Sequence, residues 1–334
     1  MGIDSLAKIH SKDGVEAKEV QITDECKQLL SSLPKEIGWR TSHLYQYQGF
    51  WCQPAEIQSI VAFQKHFQSY ENDIILATMP KSGTTWLKAL AFTVVNRDRF
   101  PLSNKHPLLT SNPHDLVPFF EYKLYANNQI PDLTKYNAGG PRVFGTHIPF
   151  PSLANTAKKS NCRVVYLCRN PLDTFISSWH FIGSMSPFTL EEAFDMCCKG
   201  VIGFGPFWDH MLGYWKESKE NPENLLFLTY ECLKEDTVFH LKRLAKFLGF
   251  PFSMEEERSG VVEKIVELCS FQNLKEMEVN KKGKSIKNFE NKMLFRKGEV
   301  GDWVNYLSPK MAEKMSTIMK EKLCGSGLKF KLLP

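Results

Sequence analysis

Three observations predict an α/β fold, a central parallel β-sheet flanked by helices. Four short β-branched or apolar runs read as strands. Segments of helical period alternate with them, which is the pattern of a parallel sheet covered on both faces. The chain has 334 residues, 43% of them hydrophobic and 24% charged, enough for a sizeable core. No linker of Pro, Gly and Ser divides it.

The expected strands are Asp73–Thr78 (DIILAT), Arg142–His147 (RVFGTH), Arg163–Arg169 (RVVYLCR) and Asn224–Tyr230 (NLLFLTY), each bounded by turn or charge signals. Helical patterns cover Thr84–Asn96, Leu172–Phe181, Leu190–Lys199, Pro206–Lys219 and Val238–Leu248. Residues 1–20 are polar and read as a flexible N-terminal tail, with 21–334 as one domain. The tail has an acid at position 4, unlike a signal or transit peptide, and Leu6 stands where the myristoylation pattern needs Ser or Thr. No apolar run approaches the roughly 18 residues of a membrane span, so no membrane association is expected.

A net charge of +5 suits an anionic ligand but is too weak to argue for nucleic acid. The most basic stretch, Lys281–Lys287 (KKGKSIK), reads as a solvated loop or as a flap over an anion site. Nine cysteines, none in a C-x-x-C pair, indicate reduced thiols and a cytoplasmic protein.

In open parallel sheets, ligands bind beyond the carboxyl ends of the strands. That rule gathers Lys81–Trp86, His147–Pro149, Arg169–Pro171 and Tyr230–Glu231 on one rim. The first group, PKSGTTW, is a strand–turn–helix anion nest. Gly83 permits the turn, the N–H groups of Gly83, Thr84 and Thr85 join the helix dipole, and Lys81 adds a point charge. Trp86 offers a flat face to a purine. Lysine precedes the glycine, the reverse of the common nucleotide loop.

Phosphoryl-transfer loops also use a second strand ending in Asp to hold magnesium. Here Arg169 ends that strand, and Asp173 faces a turn. A cradle without that acid suits a group of lower charge than a γ-phosphate, such as a sulfuryl group. His147 directly follows a strand and is the candidate general base, with an ordinary pKa near ~6.5 expected. Arg169 with Ser177 forms a clamp for a terminal phosphate, and Arg296, Lys297 and Gly298 form a second basic turn. The aromatic blocks Phe119–Tyr125 and Gly200–Trp215 supply mostly core, the remainder lining a pocket for an apolar small molecule with a hydroxyl.

PKSGTTW, THIP, CRNPLDTFIS and RKGEVGDW, in this order and spacing, resemble the cytosolic sulfotransferases over Leu30 to Leu328. LPKEIGWR and YQGFWCQ resemble the plant branch, and three long blocks resemble its hydroxyjasmonate sulfotransferases. The resemblance implies a sheet related to the P-loop nucleotide kinases, 3′-phosphoadenosine-5′-phosphosulfate (PAPS) as co-substrate and no metal. It implies that Lys81 meets the bridging oxygen, Ser82, Gly83, Thr84, Thr85 and Trp86 hold the 5′-phosphosulfate and adenine, and His147 is the base. Arg169, Ser177, Arg296, Lys297 and Gly298 would surround the 3′-phosphate, and Tyr230, Cys269 and Phe271 the adenine.

Two positions depart from the family. Many animal members carry lysine before the Thr-His pair, where this chain has Gly145. The short dimer motif keeps only its final acid, Glu313, so a monomer or weak dimer is expected. The reading is sulfuryl transfer to a small hydroxylated acceptor, hydroxyjasmonate first, with flavonols, brassinosteroids and other phenols as alternatives. A metal-dependent nucleotide phosphotransferase and a non-catalytic binder of hydroxylated small molecules are the rival classes.

Overall fold

The computed structural model describes residues 21–136, 140–183, 186–286 and 289–333. The expected tail, residues 1–20, and Lys287 of the basic stretch lie outside them. Among the described residues seven strands run in chain order: β1 (Lys35–Ile37), β2 (His43–Tyr47), β3 (Phe50–Cys52), β4 (Ile74–Thr78), β5 (Val143–Thr146), β6 (Arg163–Cys168) and β7 (Leu225–Thr229). The last four form one sheet in the order β5-β4-β6-β7, and every pairing in it is parallel. All four expected strands are present, and β4 holds a central place, with β5 and β6 on either side.

The pleat sends alternate residues to opposite faces. Ile75, Ala77, Val164, Tyr166 and Phe227 enter one core, and Ile74, Leu76, Val165, Leu167 and Leu228 the other. Each fully buried Leu or Ile contributes on the order of 1.5–3 kcal/mol. Helices cover both layers, and the five expected ones fall at Thr84–Asn96, Pro171–Ile182, Leu190–Cys198, Phe207–Glu220 and Thr237–Phe247.

The sequence reading did not anticipate the antiparallel sheet β1-β2-β3, nor the helices Pro54–His66, Phe150–Ser160 and Pro309–Lys322. Strands of three to five residues give too little alternation to read. The small sheet is stitched to the body through β3: the Trp51 N–H donates to Gly205 O at 2.7 Å, and Trp51 O accepts from the Phe204 N–H at 2.6 Å.

Candidate active site

The carboxyl ends of the parallel strands open into a cavity of about 790 Å³. At its floor β4 passes into the loop Met79–Gly83 and then the helix Thr84–Asn96. Gly83 caps that helix at φ 105°, and a Cβ there would fall 2.8 Å from the Tyr230 ring, so the turn requires glycine. The first N–H groups of the helix have no intrahelical acceptor, and Gly83, Thr84, Thr85 and Trp86 line the cavity. Lys81 sits at φ 68°, a conformation that costs a non-glycine residue on the order of 1–3 kcal/mol. Its Nζ lies 3.7 Å from the centre of the Phe181 ring. Desolvation, with the Arg169 and Arg296 charges adding to it, lowers its pKa to about 7.

His147 leaves β5 with only 7% of its surface exposed. Its Nδ1 lies 2.8 Å from the Thr78 carbonyl oxygen, which fixes Nδ1 as the protonated nitrogen. Nε2 then keeps a lone pair and has no protein partner among the described residues. Burial pushes the imidazole pKa down to about 3, with the Lys88, His210 and Lys81 charges adding and the Thr78 carbonyl opposing. The ordinary value expected from the sequence is therefore corrected: the ring is neutral throughout the neutral range. Glu121 clamps the backbone from behind, accepting from the His147 N–H at 2.7 Å and the Thr146 hydroxyl at 3.0 Å. His210 donates to the His147 carbonyl at 2.9 Å. Neither Glu121 nor His210 was marked by the sequence, because each stands in an aromatic block remote from the strand-end motif.

Beyond β6, Arg169 lies over the Tyr230 ring at 4.6 Å and pairs with Asp173 at 3.6 Å. Asp173 faces a turn, as expected: it accepts the N–H groups of Gly301 and Trp303 at 2.8 and 3.0 Å. It thereby ties the second basic turn to the sheet. In that turn Asp302 accepts from both Arg296 and Lys297 at 2.6 Å. Ser177, Tyr230, Phe271 and Gly298 join Arg169, Arg296 and Lys297 on the same wall. The Nε atoms of Arg169 and Arg296 and the indole N–H of Trp86 are buried without a hydrogen-bond partner. Buried donors of this kind are costly unless a ligand meets them, and three around one cavity fit a polyanionic nucleotide.

The opposite end of the cavity is aromatic. Phe119, Tyr122, Ile202 and Phe204 line it, while Phe120, Leu124, Tyr125, Phe207 and Tyr214 are core, dividing the two blocks as expected. A π-helical turn, Phe120–Leu124, carries Glu121 and Tyr122. Tyr122 donates to Glu56 at 2.8 Å. Arg40 donates to the Gln53 amide oxygen at 2.9 Å and makes no ion pair among the described residues. Arg40 and Gln53 end the two blocks that resemble the plant branch, but neither they nor Glu56 carried a site assignment. Ile286 of the basic stretch and Phe289 just beyond it line the cavity, while Lys281 and Lys282 pair with surface glutamates.

Two expected site residues are not brought to this cavity. The Ser82 hydroxyl is buried behind the loop without a partner, because the turn that exposes Gly83 points the preceding side chain inward. Cys269 is fully buried against the Thr93 hydroxyl at 3.6 Å, and it is Phe271, two residues on, that reaches the wall. All nine cysteines are free thiols.

Comparison with known proteins agrees with this geometry. The family model for the sulfotransferase domain matches residues 71–327. The chain belongs to the sulfotransferase family and is a sulfotransferase. Its relatives place it in the plant cytosolic branch: it is 61% identical to Arabidopsis thaliana cytosolic sulfotransferase 15, over 99% of this chain and 94% of that one. Cytosolic sulfotransferase 14 of the same plant is 58% identical over 98% and 96%. Among solved structures, an Arabidopsis thaliana chain whose name puts it among steroid sulphotransferases superposes with a TM-score of 0.75 at 43% identity, covering 93% of this chain and 99% of that one. A mouse sulfotransferase complexed with PAP gives 0.63 at 26% identity, covering 85% and 95%.

Proposed function

We propose that this sulfotransferase uses PAPS and acts in the cytoplasm, as a monomer or weak dimer, on a small hydroxylated acceptor that also bears a carboxylate, hydroxyjasmonate being the first choice. The observation that carries the reading is His147, with Nδ1 tied to a carbonyl and Nε2 free, between a cationic end and an aromatic end of one cavity. The mouse structure with PAP and the partnerless donors of Trp86, Arg169 and Arg296 support the co-substrate. Arg40, held by Gln53 and without an ion pair among the described residues, supports an anionic acceptor.

In this reading His147 Nε2 takes the acceptor hydroxyl proton as the new O–S bond forms. The S–O bond to the 5′-phosphate breaks, and PAP leaves. Lys81 and the N–H groups of Gly83, Thr84 and Thr85 take up charge on the departing phosphate oxygen. A bound polyanion also favours the imidazolium, offsetting the burial that depresses His147. Arg169, Ser177, Arg296, Lys297 and Gly298 hold the 3′-phosphate, while Trp86, Tyr230 and Phe271 pack on adenine.

Turnover with PAPS should be screened across hydroxyjasmonate, its methyl ester, a flavonol and a brassinosteroid, with and without chelator. Sulfated hydroxyjasmonate formed in chelator, with the ester much slower, is expected. Turnover of the steroid or flavonol alone would replace the acceptor, and magnesium-dependent use of ATP would replace the reaction.

A further inference from the structure

The helix that begins at the anion loop sends one side chain into an unexpected place. Lys88 is fully buried, one turn beyond Thr84 and Thr85. Its Nζ lies 3.1 Å above the centre of the Phe119 ring and 3.1 Å from His114 Nδ1. The other ring nitrogen of His114, Nε2, lies 2.9 Å from the Thr85 hydroxyl. Thr85 and His114 line the cavity; Lys88 does not. The lysine runs through the space left empty by Gly145, where an added Cβ would fall 2.3 Å from its Cε and 2.6 Å from its Nζ. A lysine side chain thus stands beside the Thr-His turn, delivered by the helix rather than by β5.

The polarity of this chain follows from donor and acceptor counting. An ammonium group has only donors. Protonated Lys88 must donate to His114 Nδ1. Nε2 then carries the hydrogen and donates to the Thr85 oxygen. Thr85 is left with its own O–H free to point into the cavity. A neutral Lys88 permits the opposite polarity, in which Thr85 donates to His114 and turns lone pairs toward the ligand. Only the first arrangement suits an anion.

We propose that Lys88 is a positioning residue which, through His114, sets the Thr85 hydroxyl as a hydrogen-bond donor to the bound 5′-phosphate, so that nucleotide binding and protonation of this buried chain are coupled. The inference rests on the PAPS reading above. It assigns the place of the missing lysine at position 145 to a residue that touches neither substrate nor co-substrate.

The charged neighbours are compatible with such coupling. From the turn Phe120–Leu124, Glu121 favours the ammonium and Lys123 opposes it; from the segment Pro113–Leu116, Asp115 favours it. His147 and Lys81 both press on His114. Burial outweighs these and lowers the lysine well below its usual range, and a nearby polyanion acts against that burial. Lys81 also takes up a proton when an anion binds, which means that the Lys88 contribution is read as a difference.

The test is calorimetric binding of PAP to the full chain carrying Lys88→Met, His114→Asn, Thr85→Val and the Lys88→Met/Thr85→Val and His114→Asn/Thr85→Val pairs, each in two buffers of different ionisation enthalpy. Lys88→Met and His114→Asn should each weaken PAP by about tenfold, the worth of one charge-assisted hydrogen bond at the low end. Neither should weaken it further once Thr85 is valine. Proton uptake on binding should fall in Lys88→Met relative to wild type and survive in part through Lys81. Losses that add to that of Thr85→Val, or unchanged proton uptake, would overturn the coupling. Should Lys88→Met fail to fold, His114→Asn carries the same comparison with the lysine in place. Failure of the wild-type chain to bind PAP would instead strike the functional reading.

Discussion

The two ends of the cavity are built differently. The phosphate end is made where strands stop: Lys81–Trp86 after β4, Arg169 after β6, Tyr230 after β7, with the Arg296–Gly298 turn pinned beside them by Asp173. Its donors are backbone N–H groups and short-range side chains, so a few contiguous residues specify each part. The acceptor end is made by convergence. Arg40 and Gln53 come from the small antiparallel sheet and its exit, Glu56 from the helix Pro54–His66, Tyr122 from a π-helical turn and Phe204 from the chain segment that pairs with Trp51. On the proposed function, each part of the anion site is local in the chain, although the parts themselves meet only in the fold, whereas the acceptor site is tertiary throughout.

His147 stands at the seam and gives the sharpest test. His147→Ala should lower turnover by ~10²–10⁴-fold while PAP binding, measured by calorimetry, stays within about twofold. A parallel fall in PAP affinity would mean that the two ends are not separable. Next in size, Arg169→Ala should weaken PAP by roughly 10–100-fold, the worth of a charged hydrogen bond or two, and leave acceptor KM alone at saturating co-substrate. On the other side, Arg40→Gln should raise KM for hydroxyjasmonate by about tenfold and leave its methyl ester untouched, with PAP affinity unchanged. An equal effect on acid and ester would reduce Arg40 to packing.

The smallest effect is in pH. Burial lowers Lys81 to about 7, so its charge is present below that value and is lost as pH rises through it. PAP affinity should therefore decline by a few-fold per pH unit from about 7 upward, and Lys81→Met should flatten that slope. His147, lowered to about 3, should contribute no titration between pH 5 and 9 in the free chain. A midpoint near 6.5 in the ring's own NMR titration would contradict the burial that the geometry gives it.

The same contrast explains what could be read in advance. All four parallel strands, the loop, His147 and Arg169 were legible because a strand end followed by a charged or glycine-bearing turn is a local signal. That the side chains of Ser82 and Cys269 turn away from the cavity could not be read, because motif membership says nothing of which way a side chain turns. The depressed His147 imidazole was missed because burial depends on Phe119, Tyr122 and Phe204 packing around it from elsewhere. Lys88 was hidden for a related reason: in a helical pattern it reads as one more polar position, and only the gap at Gly145 makes room for it.

The antiparallel sheet β1-β2-β3 has a consequence for how such a chain can diversify. It is tied to the body by a pair of backbone bonds at Trp51 and by the buried side chains of Trp39, Leu44, Phe50 and Cys52, and it carries cavity-lining residues at its ends, yet holds none of the donor loop. Backbone bonds do not depend on side-chain identity. Arg40 and Thr41 line the cavity without belonging to that buried set, so they can change while the attachment holds, which makes the ribbon an adjustable panel: vary its cavity-facing positions between paralogues, and taste for the acceptor can travel while the nucleotide machinery stays home.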